Sequence, residues 1–292
     1  MRAEEINIRD PYILAYDGRY YLYGTRSETC WGEAYGFDCY VSDDLVDYEG
    51  PFEIFRRPEG FFATQNYWAP ECYEHNGRFY LLTTFGGDGM KKGIYILESE
   101  KPTGPFKLKA GRLTPENWTC IDGTLFLDGS RIYLVYSHSF EDTPDADICF
   151  QELSQELDRC VSEPQKMFAA KDAPWAKPVP FAEAEFGLKG DVYFSDGPCV
   201  FKGEDGNLYM TWSSWSKGSY AVGIARSLDG TISGAWEQID EPLWKENGGH
   251  GMVFKNFEGQ YYFCLHYPND KTKEHPYIVE LLFGDGKISL HC

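Results

Sequence analysis

Three aspartates and one histidine, far apart in the chain, stand in similar local settings. Asp10 precedes Pro11, Asp122 and Asp196 each precede a glycine, and His250 has a glycine on both sides. Carboxylates that share one site can do acid–base chemistry, because like charges close together push one carboxyl group toward its protonated form. An aspartate before proline or glycine is commonly only a turn residue. These four residues therefore carry chemistry only if one fold brings them together.

A sequence pattern that recurs five times predicts such a fold. Each copy has a polar residue, a short apolar run, a turn ending in glycine and an aromatic-rich run, at intervals of roughly 50 to 75 residues. Asp-Gly and Asn-Gly between apolar runs indicate a β-hairpin, since both central residues of a type I′ turn need positive φ. A repeat of this length with several strands predicts the blades of a propeller. The five turns are Asp17-Gly18, Asn76-Gly77, Asp128-Gly129, Asp205-Gly206 and Glu258-Gly259.

The blades of a propeller surround a central channel. If each repeated hairpin is the inner pair of its blade, its opening residue lies at one mouth of that channel. Asp10, Asp122, Asp196 and His250 then converge from four blades, and Ala69-Pro70-Glu71 takes the same place in the second blade. We therefore predict three carboxylates around one pit.

The composition agrees with an all-β fold. Aromatic residues make up 17% of the 292 residues, and Tyr and Phe favour strands. Thirty Gly and sixteen Pro supply turns. A helical period is rare, with at best one or two turns over Ser154 to Arg159, and the longest irregular connection runs from Ala169 to Asp191. We predict one domain over residues 1–292, a single five-bladed β-propeller.

The charge and the cysteines limit the partners and the compartment. A net charge of −19 repels nucleic acid and anionic membranes but not neutral sugars. The nine cysteines are scattered, with no CxxC pair and no zinc spacing. The N-terminus lacks an apolar signal core, and no apolar stretch approaches a membrane span. We expect a reduced, cytoplasmic protein, a monomer or homo-oligomer, with no organic cofactor.

The five blade openings resemble those of glycoside hydrolase family 43 over nearly the whole chain. That family comprises five-bladed propellers that act on arabinose- and xylose-containing glycans. Any single motif is weak, and the resemblance depends on five motifs in the right order and spacing. They are Arg9-Asp10-Pro11, Trp68-Ala69-Pro70-Glu71, Ile121-Asp122-Gly123, Ser195-Asp196-Gly197-Pro198 and Gly249-His250-Gly251.

The resemblance implies a role for each carboxylate in inverting hydrolysis. Such hydrolysis needs a carboxylate that activates water and a carboxylic acid that protonates the leaving oxygen, roughly 6.5–9.5 Å apart. By similarity Asp10 is the general base, Asp122 raises the pKa of the acid and orients it, and Asp196 is the acid. The family usually has Glu at the last position, and a displacement of roughly 1 Å can cost ~10²-fold in rate. The alternative acids are Glu71, which is the best of them, Glu183 and Glu185.

Further residues at the blade openings are candidates for binding the substrate. Trp68 and Trp215 can cover the apolar face of a pentose, although core packing also explains tryptophans, and Glu71 and His250 are candidate contacts. By similarity His250 lies on the axis near a bound cation, often calcium. Calcium prefers oxygen ligands, so a lone histidine is a weak metal signal.

We expect an exo-acting inverting glycosidase, an α-L-arabinofuranosidase or β-D-xylosidase, because a cytoplasmic enzyme meets short imported oligosaccharides. The alternatives are a carbohydrate-binding propeller that has lost catalysis at Asp196, another furanosidase such as a β-D-galactofuranosidase, and an endo-arabinanase. A fructan-cleaving propeller ranks low, because such enzymes usually open with an Asn-Asp-Pro-Asn phrase. Here Arg9 precedes Asp10 and Tyr12 follows Pro11.

Overall fold

The chain folds into five four-stranded antiparallel sheets, which confirms the predicted all-β, five-bladed architecture. The structure, a computed structural model, describes residues 1–284 and 287–291. Each sheet is built from four consecutive strands in chain order, so no strand is exchanged between sheets. We number the sheets as blades 1 to 5 along the chain.

The strands of each blade run from the inner to the outer edge in sequence order. Blade 1 contains β1 (Ile8–Tyr16), β2 (Arg19–Arg26), β3 (Gly36–Ser42) and β4 (Tyr48–Arg56). Blade 2 contains β5 (Gln65–His75), β6 (Arg78–Gly87), β7 (Met90–Ser99) and β8 (Lys107–Leu108). Blade 3 contains β9 (Cys120–Asp128), β10 (Arg131–His138), β11 (Asp147–Leu153) and β12 (Gln165–Ala169). Blade 4 contains β13 (Asp196–Lys202), β14 (Leu208–Ser216), β15 (Ser219–Ser227) and β16 (Trp236–Gln238), and blade 5 contains β17 (Gly249–Lys255), β18 (Tyr261–Tyr267), β19 (His275–Gly284) and β20 (Lys287–His291).

The first strand of every blade lines the centre of the molecule. Strand β1 contacts β5 on one side and β17 on the other, while β9 contacts β5 and β13, and β13 contacts β17. The five inner strands therefore form a closed ring. The repeated hairpin is the inner pair of each blade, as the sequence predicted.

The aromatic-rich second strands are buried on both faces, because each sheet lies between two neighbours. In β2, Tyr20 and Leu22 pack in the cluster shared with blade 5, whereas Tyr21 and Tyr23 pack in the cluster shared with blade 2. Alternate side chains of a strand point to opposite faces, so a strand sandwiched in this way is apolar at nearly every position. Each fully buried large side chain contributes about 1.5–3 kcal/mol. The core is thus a set of layers between blades.

Three of the five inner hairpins depart from the predicted type I′ turn. Both central residues have positive φ at Asp17-Gly18 and Asn76-Gly77, as predicted. At the third turn Asp128 pairs with Arg131, and of the two residues between them only Gly129 has positive φ. The turns before β14 and β18 have longer loops, because the pairing resumes only at Leu208 and Tyr261.

The long connection between blades 3 and 4 is more regular than the sequence predicted. It carries a 3-10 helix at Ala170–Asp172 and α1 at Ala182–Phe186; the other 3-10 helices are Ala3–Glu5 and Ser27–Thr29. The weak helical signal at Ser154 to Arg159 corresponds to a hydrogen-bonded turn. The last strand pairs with β19 in blade 5. Among the described residues, none of the helices has the length and apolar character to cross a membrane.

Candidate active site

Each inner strand bends at the same position, where it reaches one mouth of the channel. The bent residues have a positive φ, and four of them are not glycine. Such a conformation is uncommon and costs on the order of 1–3 kcal/mol at each residue. Strain at the four bent residues other than Gly197 requires local stabilising contacts. The φ angles are 52° at Asp10, 46° at Ala69, 58° at Asp122, 51° at Gly197 and 49° at His250.

Hydrogen bonds between neighbouring blades supply those contacts. In four blades the N–H of the bent residue donates to a side chain on the second strand of the neighbouring blade. That side chain occupies the equivalent position in each of the four strands. In blade 4 the N–H of Gly197 donates instead to Asp122 Oδ2 at 3.1 Å. Each bend is therefore held by two blades, and so is the side chain that it presents. The other four bonds join Ala69 N to Thr25 Oγ1 (2.8 Å), Asp122 N to Thr84 Oγ1 (3.0 Å), His250 N to Ser213 Oγ (2.9 Å) and Asp10 N to His266 Nδ1 (3.2 Å).

Asp196 lies one residue earlier in the repeat than Asp10, Asp122 and His250. Its neighbour Gly197 has the bent conformation, whereas Asp196 pairs with Ser213 just before the bend. The prediction of one equivalent position for all four residues was wrong in this respect. Asp122-Gly123 and Asp196-Gly197 look alike in sequence, but the bend falls on the aspartate in one and on the glycine in the other.

The four predicted residues nevertheless meet at one point of the mouth. Nδ1 of His250 lies 3.4 Å from Asp10 Oδ1 and 3.7 Å from Asp122 Oδ2. One oxygen of Asp122, one oxygen of Asp196 and a ring nitrogen of His250 all lie within 4.8 Å of one another. Only 9% of Asp10 and 6% of Asp122 is exposed. The cluster therefore combines three carboxyl groups and an imidazole at a nearly buried position.

Asp10 is held in its ionised form. Burial works to raise the pKa of Asp10, but His250, Arg9 and His266 and the hydroxyl group of Thr25 outweigh it, so that the pKa lies below its usual value. Thr25 Oγ1 donates to Asp10 Oδ2 at 2.6 Å. A carboxylate that is ionised at neutral pH can accept a proton from water.

Asp122 and Asp196 share the opposite tendency. Burial, followed by the charges of Asp196 and Asp10, raises the pKa of Asp122 well above its usual value. Burial also raises the pKa of Asp196 to about 7, against the hydroxyl group of Tyr220, which donates to Asp196 Oδ1. Two carboxyl groups this close cannot both ionise readily, so the pair retains a proton near neutral pH.

Burial favours the neutral form of both histidines of the site. Burial lowers the pKa of His250, and burial together with the charge of Arg9 lowers that of His266 further. Nδ1 of His266 accepts the N–H of Asp10, which leaves the proton of the neutral ring on Nε2, 3.3 Å from Asn269 Oδ1. His266 thus positions Asp10 from blade 5.

Glu71 lies deeper in the channel than the cluster. It follows the bent residue Ala69 by two positions, and the hydroxyl group of Tyr73 donates to it. Tyr73 in turn lies 2.9 Å from Thr124 Oγ1 of blade 3. Burial raises the pKa of Glu71 to about 8. Of the other alternative acids, Glu183 and Glu185 are exposed on α1.

The two candidate tryptophans are half-buried, and Trp215 packs against a small apolar cluster that contains Val179 and Val192. Trp68 Nε1 donates to the carbonyl of Cys30 at 2.7 Å, and its ring meets that of Trp31 edge-on at 5.4 Å. Trp215 packs edge-on against Phe181, with ring centres 5.5 Å apart. Trp31 is 61% exposed beside Trp68.

Several residues that shape the site were not predicted. Tyr220, Thr25 and His266 contact the aspartates, yet none stands in a blade opening. A signal was present for part of the set, because a polar residue interrupts each apolar second strand at the position that pairs with the residue before the bend. Those five residues are Thr25, Thr84, Ser137, Ser213 and His266.

Known proteins resemble this chain over nearly its full length. The family model described as Glycosyl hydrolases family 43 matches residues 5–287. The crystal structure of an endo-arabinase from Bacteroides thetaiotaomicron has 34% sequence identity and a TM-score of 0.88, with 98% of each chain covered. A thermostable family-43 glycoside hydrolase has 25% identity and a TM-score of 0.79, with 97% of this chain and 92% of the other covered.

A curated relative is more distant and longer. A xylosidase/arabinosidase from Butyrivibrio fibrisolvens is 26% identical over 200 residues, which are 66% of this chain. The match spans 35% of that relative's length.

Proposed function

This chain belongs to glycosyl hydrolase family 43, and on that basis we propose that it is an exo-acting enzyme that releases a terminal pentose from short oligosaccharides. Members of this family are glycoside hydrolases, and inversion at the anomeric carbon is typical of the family. The pentose is α-L-arabinofuranose first and β-D-xylose second. The names of the relatives, an endo-arabinase and a xylosidase/arabinosidase, support this order because arabinose is common to both.

The depth of the carboxylates supports action at a chain end. Asp10 and Asp122 are 9% and 6% exposed, and Asp196 is half-buried. A terminal sugar can enter such a site, whereas the middle of a long chain needs an open groove over the carboxylates. This low exposure is the observation that carries the exo proposal. A cytoplasmic location, where short oligosaccharides are the available substrate, stays a prediction.

Asp10 is the proposed general base. Its lowered pKa keeps it ionised at neutral pH, and the proton that it takes comes from the water that attacks the anomeric carbon. The hydrogen bond from the Thr25 hydroxyl and the hydrogen bond from the N–H of Asp10 to His266 fix the orientation of Asp10.

Asp196 is the proposed general acid, with Asp122 as the residue that keeps it protonated. The hydroxyl group of Tyr220 can donate or accept, so it tolerates a proton on Asp196. The N–H of Gly197 can only donate, and it donates to Asp122, which favours the ionised form there. These hydrogen bonds support a proton on Asp196, from which it passes to the leaving oxygen, while burial and the charges of Asp196 and Asp10 also favour the protonated form of Asp122.

The remaining predicted residues bind the sugar or a cation in this proposal. Trp68 and Trp215 lie half-buried and offer apolar surface to a pentose. Glu71 is less suited to contact the substrate, because it is buried and bonded to Tyr73. In this proposal Glu71 lines the channel beneath the bound sugar.

Calcium at His250 is a further part of the proposal. Asp122, Asp196 and His250 provide two oxygens and one nitrogen within 4.8 Å of one another, and calcium takes 6–8 oxygen ligands. The donor set therefore fits calcium only if water completes the shell.

An endo-arabinanase is the second candidate, because the relative with 34% identity over the whole chain is an endo-arabinase. Hydrolysis of linear arabinan separates the two candidates. An exo enzyme releases only the terminal unit from the first minutes, whereas an endo enzyme produces a ladder of oligosaccharides. A panel of 4-nitrophenyl pentosides, with the Asp10→Asn variant as the inactive control, identifies the sugar. If the wild type hydrolyses neither arabinosides nor xylosides, the proposed substrate is wrong.

A further inference from the structure

Arg9 occupies in blade 1 the position that Asp196 occupies in blade 4. Each residue immediately precedes the bend and pairs with the polar residue of the second strand, Thr25 in one blade and Ser213 in the other. Trp68 holds the same position in blade 2. The side chain of Arg9 is thus directed toward the mouth by the same backbone geometry that directs the proposed acid.

A buried carboxylate fixes the guanidinium group. Arg9 Nη1 donates to Glu274 Oε1 at 2.7 Å and to Asn269 Oδ1 at 3.0 Å, both from the segment between β18 and β19. The side chain of Glu274 is 0% exposed, and its other oxygen accepts the Ser27 hydroxyl at 2.7 Å. Burying an ion pair contributes little net stability, because desolvation offsets the attraction. Its evident effect here is to hold Arg9 in one orientation.

The other donors of Arg9 are not used by the protein. Among the described residues, Nε and Nη2 have no hydrogen-bond acceptor, and neither is a buried polar atom. The ring of Trp31 lies 5.6 Å from the guanidinium carbon. A rigid guanidinium with N–H donors left over, at the rim of a carboxylate cluster, is suited to bind oxygen atoms of a ligand.

The charge balance identifies the kind of oxygen. Glu274 lies 2.7 Å from the guanidinium group and balances its charge, so no net positive charge is available to attract a carboxylate or phosphate. Hydroxyl groups of a neutral sugar need only the donors. The planar fork of arginine matches two neighbouring hydroxyl oxygens better than the single ammonium of lysine.

We propose that Arg9 binds hydroxyl groups of the sugar unit that is cleaved, and that Glu274 is the positioning residue that orients it. This proposal rests on the proposed function only for the identity of the sugar. It makes Arg9 a determinant of sugar specificity outside the carboxylate triad.

Substrates that lack one hydroxyl group test the contact directly. The parent is the 4-nitrophenyl glycoside that the wild type cleaves best, and the analogues are its monodeoxy derivatives. Arg9→Met should lower kcat/KM for the parent by about 10–100-fold, the range of a hydrogen bond to a charged group. For at least one analogue the same variant should lose less than about 3-fold relative to the wild type, because the contact is already missing. An equal loss for the parent and every analogue overturns the proposal.

Two further variants separate binding from folding. Glu274→Gln keeps the size of the side chain, and we expect it to raise KM by several-fold while kcat changes little. Arg26→Met is the matched control, because Arg26 pairs with Asp38 in the same blade at 2.6 Å and contacts none of the cluster. A loss in Arg26→Met as large as that in Arg9→Met would mean a structural role and overturn the proposal.

The wild type's activity on the pentoside panel decides the proposed function separately from this contact. If no glycoside is cleaved, calorimetric titration of wild type and Arg9→Met with L-arabinose and D-xylose replaces kinetics. Equal affinity of the two proteins for both sugars, or binding by neither, then contradicts the role of Arg9.

Discussion

The hydroxyl group of Thr25 donates to Asp10 Oδ2 at 2.6 Å, and Thr25 Oγ1 in turn accepts the N–H of Ala69 at 2.8 Å. One fully buried side chain thus stabilises the charge of the proposed base and the bend of the next blade. The acidity of the site and the packing of the blades therefore depend on the same atom.

Replacement of Thr25 by valine should affect both properties. Loss of the hydrogen bond raises the pKa of Asp10, so the fall in kcat/KM at acidic pH moves to higher pH. The unsatisfied N–H of Ala69 should lower the free energy of unfolding by ~1–3 kcal/mol. The pH profile and urea denaturation measure the two effects. Thr211→Val, which removes a buried hydroxyl bonded to the Gly251 carbonyl, should destabilise without moving the profile.

The leaving group distinguishes the proposed acid from the proposed base. Asp196→Asn should lower kcat by ~10²–10⁴-fold on arabino-oligosaccharides, whose leaving alcohol needs a proton. On an aryl glycoside with an acidic phenol the loss should be at least tenfold smaller. Asp10→Asn should lose activity equally on both substrates. An Asp196→Asn defect that is the same for both leaving groups would remove this residue from the acid role.

The bond from Tyr220 to Asp196 predicts a shift of the alkaline limb. The acid must carry a proton, and its pKa of about 7 means that activity falls as the pH rises through this value. The Tyr220 hydroxyl lowers that pKa, so Tyr220→Phe should raise it and extend activity to higher pH. The pH dependence of kcat for an oligosaccharide is the measurement. A limb that stays in place, or that moves to lower pH, contradicts the role of Tyr220.

Glu71 predicts a pH dependence of stability that is unrelated to catalysis. Its pKa of about 8 in the folded protein exceeds the ordinary value of 4.5. The native state retains a proton that the unfolded chain releases, so this contribution is complete below pH 4.5 and is lost as the pH rises to 8. Relative to Glu71→Gln, which stays neutral, the wild type should lose on the order of a few kcal/mol over that range. Urea unfolding from pH 5 to 8 measures it, with the exposed Glu258→Gln expected to follow the wild type.

Removal of divalent cations tests the proposed calcium. Dialysis against a chelator should lower Tm and kcat, and calcium should restore both. His250→Ala should make Tm insensitive to the chelator. An unchanged Tm and kcat after dialysis of the wild type would exclude a functional calcium ion at this mouth.

The fold was predictable because its signals are local. Asp17-Gly18 and Asn76-Gly77 fix hairpins through the φ angles of two adjacent residues. The apolar runs around them follow from the position of each sheet between two neighbouring sheets. Asp10, Asp122 and His250 could be predicted together because a repeat transfers the position of one to the others.

The remaining parts of the site depend on contacts that the repeat does not record. The one-residue shift of Asp196 depends on which residue of Asp196-Gly197 adopts positive φ. An Asp-Gly sequence is compatible with both possibilities, so the sequence does not distinguish them. Tyr220 and Glu274 act through side-chain contacts with Asp196 and Arg9, which are 24 and 265 residues away. Arg9 itself was read only as a flank of Asp10.

Within residues 1–284 and 287–291, each blade is built from consecutive strands, and no sheet is shared between blades 1 and 5. The join between blades 5 and 1 includes the bond from Asp10 to His266 and the ion pair of Arg9 with Glu274. If the ring opens between blades 5 and 1, Asp10 loses its hydrogen bond to His266 before any sheet unfolds. Activity would then be lost on warming before the strands unfold, and cooling would restore it.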